Sequence, residues 1–421
     1  MRVKVISILN LLVPLCLLGF MSAYLTYINI IFNDNTRWVF FGALFIFLFS
    51  KKKLIRFWDP LLAFILFIYI IWCFLTSFWS DVYILSLAKS TMLSFVVITM
   101  ITAGIEWVNT RHWEHSINYI GLLAYITLLA ASLGKLDWSA APTTSTEIAF
   151  YRGSFVTGSN MLGFYMAASL PFFIWKTYLE KVNTKKYFIR LLLVLACVYF
   201  LMASMSRGAI AATLATLMGF MFSLNLNKKV LLLSFLIFIL TNLFVFYPDK
   251  IIDTVGRYIF KNAYSIKYSH ELFASRKLAW QQSYDAAVEG GWLGLGYGAS
   301  VGDTNFNFDY GLSSRHYGRE KGNSQLAIVE ETGMVGLILY SGLLIILIFK
   351  LYKLYTKVNN PSQRVLVGIL FGTLIGMIIQ SIFEGWWDAP AGPETIYFWL
   401  LVGIISGLEI AIGKRYAARI I

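Results

Sequence analysis

Long apolar segments separated by short polar ones run along almost the whole chain. A helix that spans a membrane needs about 20 mainly apolar residues, so this spacing predicts an all-α polytopic membrane protein. About twelve transmembrane helices are predicted, the second being the shortest: 6–31, 37–50, 58–78, 83–106, 113–133, 158–178, 187–205, 208–225, 229–247, 323–349, 365–384 and 393–412. The chain is therefore predicted to divide into residues 1–247 with nine spans, a large loop with short helices at 248–322, and residues 323–421 with three spans and a tail.

Composition and charge agree with a membrane location. The chain is 58% hydrophobic, above the roughly 45–50% that is typical of soluble domains. All three cysteines lie in apolar segments, so a disulfide framework is not expected. The net charge of +13 is explained by lysines and arginines at the ends of spans, and no nucleic-acid partner is expected.

The distribution of basic residues predicts the orientation. Most of the 35 lysines and arginines fall in alternate polar segments, and such segments face the cytoplasm. An even number of spans then leaves both termini in the cytoplasm. The segment 134–157, the loop 248–322 and the tip 384–393 are predicted to face outward.

Arg207 interrupts an apolar run that extends from Leu191 to Leu224. A charge near the centre of a membrane helix costs about 2.5–3.5 kcal/mol on insertion scales. The two spans around it are together too long for one helix, so the chain is predicted to reverse at Ser206-Arg207-Gly208. Arg207 then lies at the outer face, near water, a partner or an anionic ligand.

Other polar groups are predicted to converge on the same face. They are Arg152 and Asn160 before the sixth span, Arg276 and Trp280 on a predicted amphipathic helix, and His316, Arg319, Glu320, Lys321 and Asn323 before the tenth span. Guanidinium groups bind phosphate oxygens bidentately, and a carboxylate or histidine could deprotonate a sugar hydroxyl. This set suits a polyanionic, lipid-linked substrate, and no carboxylate metal cluster is recognised.

Three further features allow more than one interpretation. Glu330 and Glu331, inside the tenth span, could pair with an arginine of a neighbouring helix or take part in binding or proton transfer. The glycines between Gly290 and Gly298 predict tight turns and close backbone approach rather than a phosphate site. Trp386 and Trp387 are expected to anchor at the membrane interface, with sugar stacking as the alternative.

Several of these motifs, in this order, resemble the O-antigen ligase/polymerase superfamily of bacterial envelope glycosyltransferases. The resemblance extends over roughly residues 150–400 and rests on Ser206-Arg207-Gly208-Ala209, Arg276 with Trp280, Gly294–Gly298, Asn323-Ser-Gln-Leu326 and Glu331–Gly336. It implies a GT-C-like fold and a metal-independent, cofactor-free transfer from an undecaprenyl-pyrophosphate-linked glycan. Arg207 and Arg276 match the pyrophosphate-binding arginines of the family.

The resemblance departs from the ligases at one position. Ligases usually carry His-Asn-x-x-Leu, and that histidine is a candidate base, whereas this chain has Gly322 there. Glu320, His316 and Glu331 remain as candidate bases. The Gly-Asn-Ser form is closer to polymerase-type members.

These observations predict a glycan polymerase of the bacterial inner membrane whose active site faces the periplasm. It would move a growing glycan from undecaprenyl pyrophosphate to another lipid-linked repeat unit. Arg207 and Arg276 would bind the pyrophosphate with help from Arg152 and Arg319. The acceptor would be positioned by Asn160, Trp280 and Asn323, and a chain-length regulator is a possible partner.

Three alternatives remain open. The nearest is a ligase that transfers the glycan to lipid A core or to another acceptor. A transporter of lipid-linked sugars is a different class, and it often shows inverted repeats, which this sequence lacks. A purely structural membrane protein fits poorly with so many arginines on one face.

Overall fold

The computed structural model describes residues 2–25, 34–51, 58–109, 113–133, 156, 158–204, 206–225, 227, 274–300, 321–387 and 389–420. Within these residues it contains twelve α-helices and no β-strand: α1 Arg2–Met21, α2 Asp34–Ser50, α3 Pro60–Thr76, α4 Tyr83–Val108, α5 Trp113–Ser132, α6 Ser159–Leu179, α7 Lys185–Ala203, α8 Arg207–Ser223, α9 Ala274–Gly290, α10 Ser324–Lys357, α11 Pro361–Phe383 and α12 Pro393–Ile420. Each predicted span except the ninth coincides with a helix. The ninth, 229–247, lies outside the described residues.

Six of the described helical segments are long and apolar enough to cross a membrane: Pro60–Trp79, Tyr83–Val108, Lys185–Ala203, Ser324–Lys357, Pro361–Phe383 and Pro393–Ile412. Four shorter helices, 8–24, 35–50, 116–132 and 207–223, are also apolar. The prediction of a helical, polytopic membrane protein is thereby supported at this level. The number of twelve spans and the GT-C-like arrangement stay predictions.

Small residues hold α8 against α11. Gly368, Gly372 and Gly376 repeat every fourth residue, which places them on one face of α11. A Cβ atom at Gly372 would lie 2.5 Å from the carbonyl oxygen of Ala215, and one at Gly376 would lie equally close to that of Ala212. Such small-residue faces let membrane helices approach closely. The contact fixes the start of α8, and with it Arg207, beside the end of α11.

A break in α10 is filled by the glycine-rich segment that follows α9. Gly333 has φ 71° and ψ −178°, which interrupts the helical hydrogen bonds inside α10. The amide groups of Leu295 and Gly296 donate to the carbonyl oxygens of Glu330 and Glu331 over 2.8 Å and 2.9 Å. The carbonyl oxygens of Gly291 and Trp292 accept hydrogen bonds from the amide groups of Met334 and Val335.

This pairing explains the glycines predicted at turns and close approaches. Gly294 has φ 79°, and a Cβ atom there would collide with the carbonyl group of Glu331. Broken helices are tolerated at membrane depth only where other groups satisfy the exposed backbone. Trp72 of α3 adds a hydrogen bond of 2.7 Å from its indole to the carbonyl oxygen of Thr332. The glycine run therefore has a packing role at the break.

The ends of several helices that carry predicted site residues meet at one end of the bundle. Gly163 near the start of α6 contacts Ser204 and Ser206. Gly208 of α8 contacts Phe383 at the end of α11, and Asn323 before α10 bonds to Ile382. We call this end the site end. At the opposite end, Lys350 of α10 lies 3.1 Å from Asp59 and 2.7 Å from Glu409.

Candidate active site

Arg207 is the first residue of α8 at the site end. The turn before it is held by Ser204, whose hydroxyl oxygen accepts from the amide of Ser206 over 3.2 Å. The start of α6 packs on this turn through Gly163, and Tyr178 at the end of α6 packs on Phe220 at the end of α8. Helices α6 and α8 are therefore parallel. Since α6 and α7 form a hairpin joined by Arg190 and Glu180, the chain reverses between α7 and α8, as predicted.

The position of Arg207 suits an anionic ligand. A helix dipole disfavours a cation at the helix N-terminus and favours an anion there. The first-turn amide groups and a half-buried guanidinium can then act on the same phosphate oxygens.

The end of α11 brings several predicted site residues together. The rings of Phe383 and Trp280 have centroids 5.9 Å apart. A Cβ atom at Gly208 would lie 3.3 Å from Cβ of Phe383. The side-chain amide of Asn160 donates to Oε1 of Glu384 over 2.7 Å. Helix α9 therefore meets the ends of α6, α8 and α11 around residues 383 and 384.

The start of α10 completes this cluster. Asn323 caps the helix, since its side-chain oxygen accepts from the amide of Leu326 over 2.9 Å. Its side-chain nitrogen donates to the carbonyl oxygen of Ile382 over 3.0 Å. The indole of Trp280 donates to the carbonyl oxygen of Gly322 over 3.1 Å. Asn323 and Trp280 thus both position the backbone at Gly322, the residue compared above with the histidine of the ligases.

A buried charge cluster lies beside the start of α10. Glu330 and Glu331 are 0% and 1% exposed. The ammonium group of Lys321 forms an ion pair with Oε1 of Glu331 and lies 3.9 Å from Oε2 of Glu330. Oε2 of Glu331 accepts from the amide of Gly298 over 2.7 Å. These carboxylates therefore form an ion pair with Lys321, and their pairing with an arginine of a neighbouring helix stays a prediction.

This cluster ties together the two ends of the segment 301–320. Lys321 also donates to the carbonyl oxygen of Ala299 over 3.2 Å, and Lys89 of α4 donates to that of Gly298 over 2.9 Å. Both carboxylate oxygens of Glu331 are engaged. This geometry favours a structural role for Glu331, whose assignment as a base stays a prediction.

The remaining predicted site residues lie outside what the structure describes. Arg152, His316, Arg319 and Glu320 fall in undescribed segments. The backbone of Arg276 lies in the first turn of α9, and its side chain is outside the described part. Sequence reasoning missed Glu384 as a member of the polar cluster. A carboxylate after the last apolar residue of a span is a common solvated end, so Glu384 carried no distinguishing signal.

The fold and the polar cluster define a helical membrane protein with an anion-binding candidate site at one end. No three His, Cys, Asp or Glu side chains form a candidate metal site among the described residues. Residues 191–341, about a third of the chain, match the protein family described as O-antigen ligase. This match supports the predicted resemblance to the O-antigen ligase/polymerase superfamily. No curated protein matches the chain.

Proposed function

We propose that the protein polymerises oligosaccharide repeat units carried on undecaprenyl pyrophosphate, at the periplasmic face of the bacterial inner membrane. The observation that carries the proposal is the position of Arg207. It starts α8 within the family-matched region, beside the polar residues gathered at the end of α11. Both termini would lie in the cytoplasm.

In the proposed reaction, Arg207 and Arg276 bind the donor pyrophosphate, and Arg152 and Arg319 assist. The acceptor hydroxyl oxygen attacks the anomeric carbon while the bond to the pyrophosphate oxygen breaks. Guanidinium groups stabilise the charge that develops on this leaving group, so no metal or cofactor is required in the proposal. A base accepts the hydroxyl proton, and the sequence candidates are Glu320, His316 and Glu331.

The experiment is chain extension by purified protein in lipid vesicles with lipid-linked repeat units, read as a glycan ladder. We expect Arg207→Ala to lower the rate about 10²–10³-fold, the loss typical of removing one charge-stabilising donor. Arg190→Ala is the matched control, because Arg190 pairs with Glu180 near the opposite end. If Arg207→Ala extended chains at the wild-type rate, or wild type made no ladder, the proposal would be wrong.

The second candidate function is the ligase, which the description of the matched family favours. The acceptor separates the two functions. A polymerase lengthens chains with lipid-linked repeat units alone, whereas a ligase transfers the glycan only when lipid A core or another acceptor is added. A transporter would move lipid-linked sugar across the vesicle membrane without forming a new glycosidic bond.

A further inference from the structure

Glu384 is a carboxylate that none of the sequence motifs singled out. It follows directly on α11 at the site end and is half-buried. Its Oε1 accepts from the side-chain amide of Asn160, and its backbone carbonyl accepts from the hydroxyl of Ser324 over 2.7 Å. Three helix ends, those of α6, α10 and α11, therefore fix where this carboxylate lies.

The backbone of residues 382–386 runs alongside residues 321–324. A Cβ atom at Gly385 would collide with the carbonyl oxygen of Lys321. The amide of Trp386 donates to the hydroxyl oxygen of Ser324 over 3.0 Å. Gly322, where ligases carry histidine, lies inside this paired stretch. Glu384 thus belongs to the backbone segment that runs beside Gly322.

The residue before Glu384 contacts the first turn of α8, which begins at Arg207. Phe383 contacts Gly208 on one side and the ring of Trp280 on the other. A group at position 384 is therefore one residue away from contacts with both α8 and α9.

Glu384 differs from the two carboxylates inside α10. Glu330 and Glu331 are almost completely enclosed, and Glu331 uses both oxygens on Gly298 and Lys321. Glu384 keeps part of its surface exposed at the site end. A general base must reach within about 2.6–3.2 Å of the proton it takes, and partial exposure is what such reach requires.

We infer that Glu384 is the general base that replaces the missing ligase-type histidine, an inference that rests on the proposed glycosyl transfer. Its carboxylate takes the proton from the acceptor hydroxyl as that oxygen bonds to the anomeric carbon. The electron pair of the broken carbon–oxygen bond leaves with the pyrophosphate. Asn160 orients the carboxylate by its hydrogen bond and is a positioning residue.

The test compares Glu384→Gln, Glu384→Asp and Asn160→Ala in the chain-extension assay. Glutamine keeps the shape and can still accept from Asn160, but it cannot take the proton. We expect kcat to fall about 10²–10⁴-fold, the usual contribution of general base catalysis, with KM for the lipid-linked donor within about threefold. Glu384→Asp should keep part of the activity. Glu409→Gln is the matched control, since Glu409 is a paired carboxylate at the opposite end.

The pH profile distinguishes a base from a structural role. Wild type and Asn160→Ala should lose activity at acidic pH as the carboxylate is protonated, whereas the residual activity of Glu384→Gln should lack this decline. A purely structural role predicts equal losses and equal profiles in Glu384→Gln and Asn160→Ala, and that result would overturn the inference. So would a wild-type rate in Glu384→Gln together with a large kcat loss in Glu320→Gln or His316→Ala. An inactive wild type would instead contradict the proposed function.

Discussion

Removing Lys321 should destabilise the protein more than neutralising the carboxylate it pairs with. Lys321→Met leaves Glu330 and Glu331 together in a site where they are 0% and 1% exposed. Glu331→Gln leaves Lys321 with Glu330, 3.9 Å away, and a glutamine oxygen can still accept from the amide of Gly298. The two single substitutions therefore differ in the buried charge that they leave.

The magnitudes follow from this difference. Removing one partner of a buried ion pair typically costs about 3–5 kcal/mol, because the other charge stays uncompensated. We expect Lys321→Met to lie in that range. Glu331→Gln should cost about 1–3 kcal/mol, the range for disturbing a buried hydrogen-bonded group. The double variant should be more stable than Lys321→Met, with a coupling of about 0.5–3 kcal/mol as for residues in contact.

The stability of these variants can be measured with the protein's own cysteines. Cys16, Cys73 and Cys197 are free thiols, and all three are buried. A thiol-reactive fluorophore will label them only as the protein unfolds, so detergent-purified variants can be compared by apparent melting temperature. Glu180→Gln is the control: its pair with Arg190 is about a quarter exposed, and such pairs contribute about 0–1 kcal/mol. Equal shifts for the two single variants, or additive shifts in the double variant, would refute the reasoning.

Two further predictions concern packing and pH. Gly372→Leu should separate α8 from α11, because its Cβ alone would lie 2.5 Å from a carbonyl oxygen. We expect this variant to lose activity and to have a lower melting temperature. Gly42→Leu is the control, because nothing lies within 4 Å of a Cβ atom at Gly42. Burial would raise the pKa of Asp59, but hydrogen bonds from Leu62 and Lys350 lower it below 3.8. Its stabilisation, below about 1 kcal/mol for a pair whose carboxylate side chain is 35% exposed, should therefore be present at neutral pH and lost as pH falls below 3.8. Asp59→Asn should abolish that acid dependence in melting curves.

Hydropathy was sufficient to predict most helices but not the break in α10. The fourth span, predicted at 83–106, is the helix Tyr83–Val108, whereas the tenth was predicted as one uninterrupted segment. The polar stretch Glu330-Glu331-Thr332 directly precedes Gly333, but polarity alone does not indicate whether a helix is interrupted. The break depends on hydrogen bonds to residues about 40 positions earlier, and periodicity does not report on such distant partners.

The candidate site was predictable where charge was conspicuous. Arg207 was identified because a charge within an apolar run is costly, and the chain does reverse beside it. The interpretation of Trp386 and Trp387 as interfacial anchors was wrong, since they are 4% and 5% exposed and Trp387 packs on Tyr340 at 4.4 Å between ring centroids. Their burial depends on how the segment after α11 returns into the bundle, which composition does not determine.

The contact between α8 and α11 also constrains the order in which the site can assemble during synthesis. Helix α8 ends at Ser223, whereas α11 begins only at Pro361. At about 5–20 residues per second, the ribosome needs roughly 7–30 seconds to make the chain between them. During that interval the face of α8 that carries Ala212 and Ala215 has no α11 to pack on, and the contact between Gly208 and Phe383 beside Arg207 has not formed. The two halves of the candidate site are thus made at different times, and the junction beside Arg207 is completed only after α11 has been made.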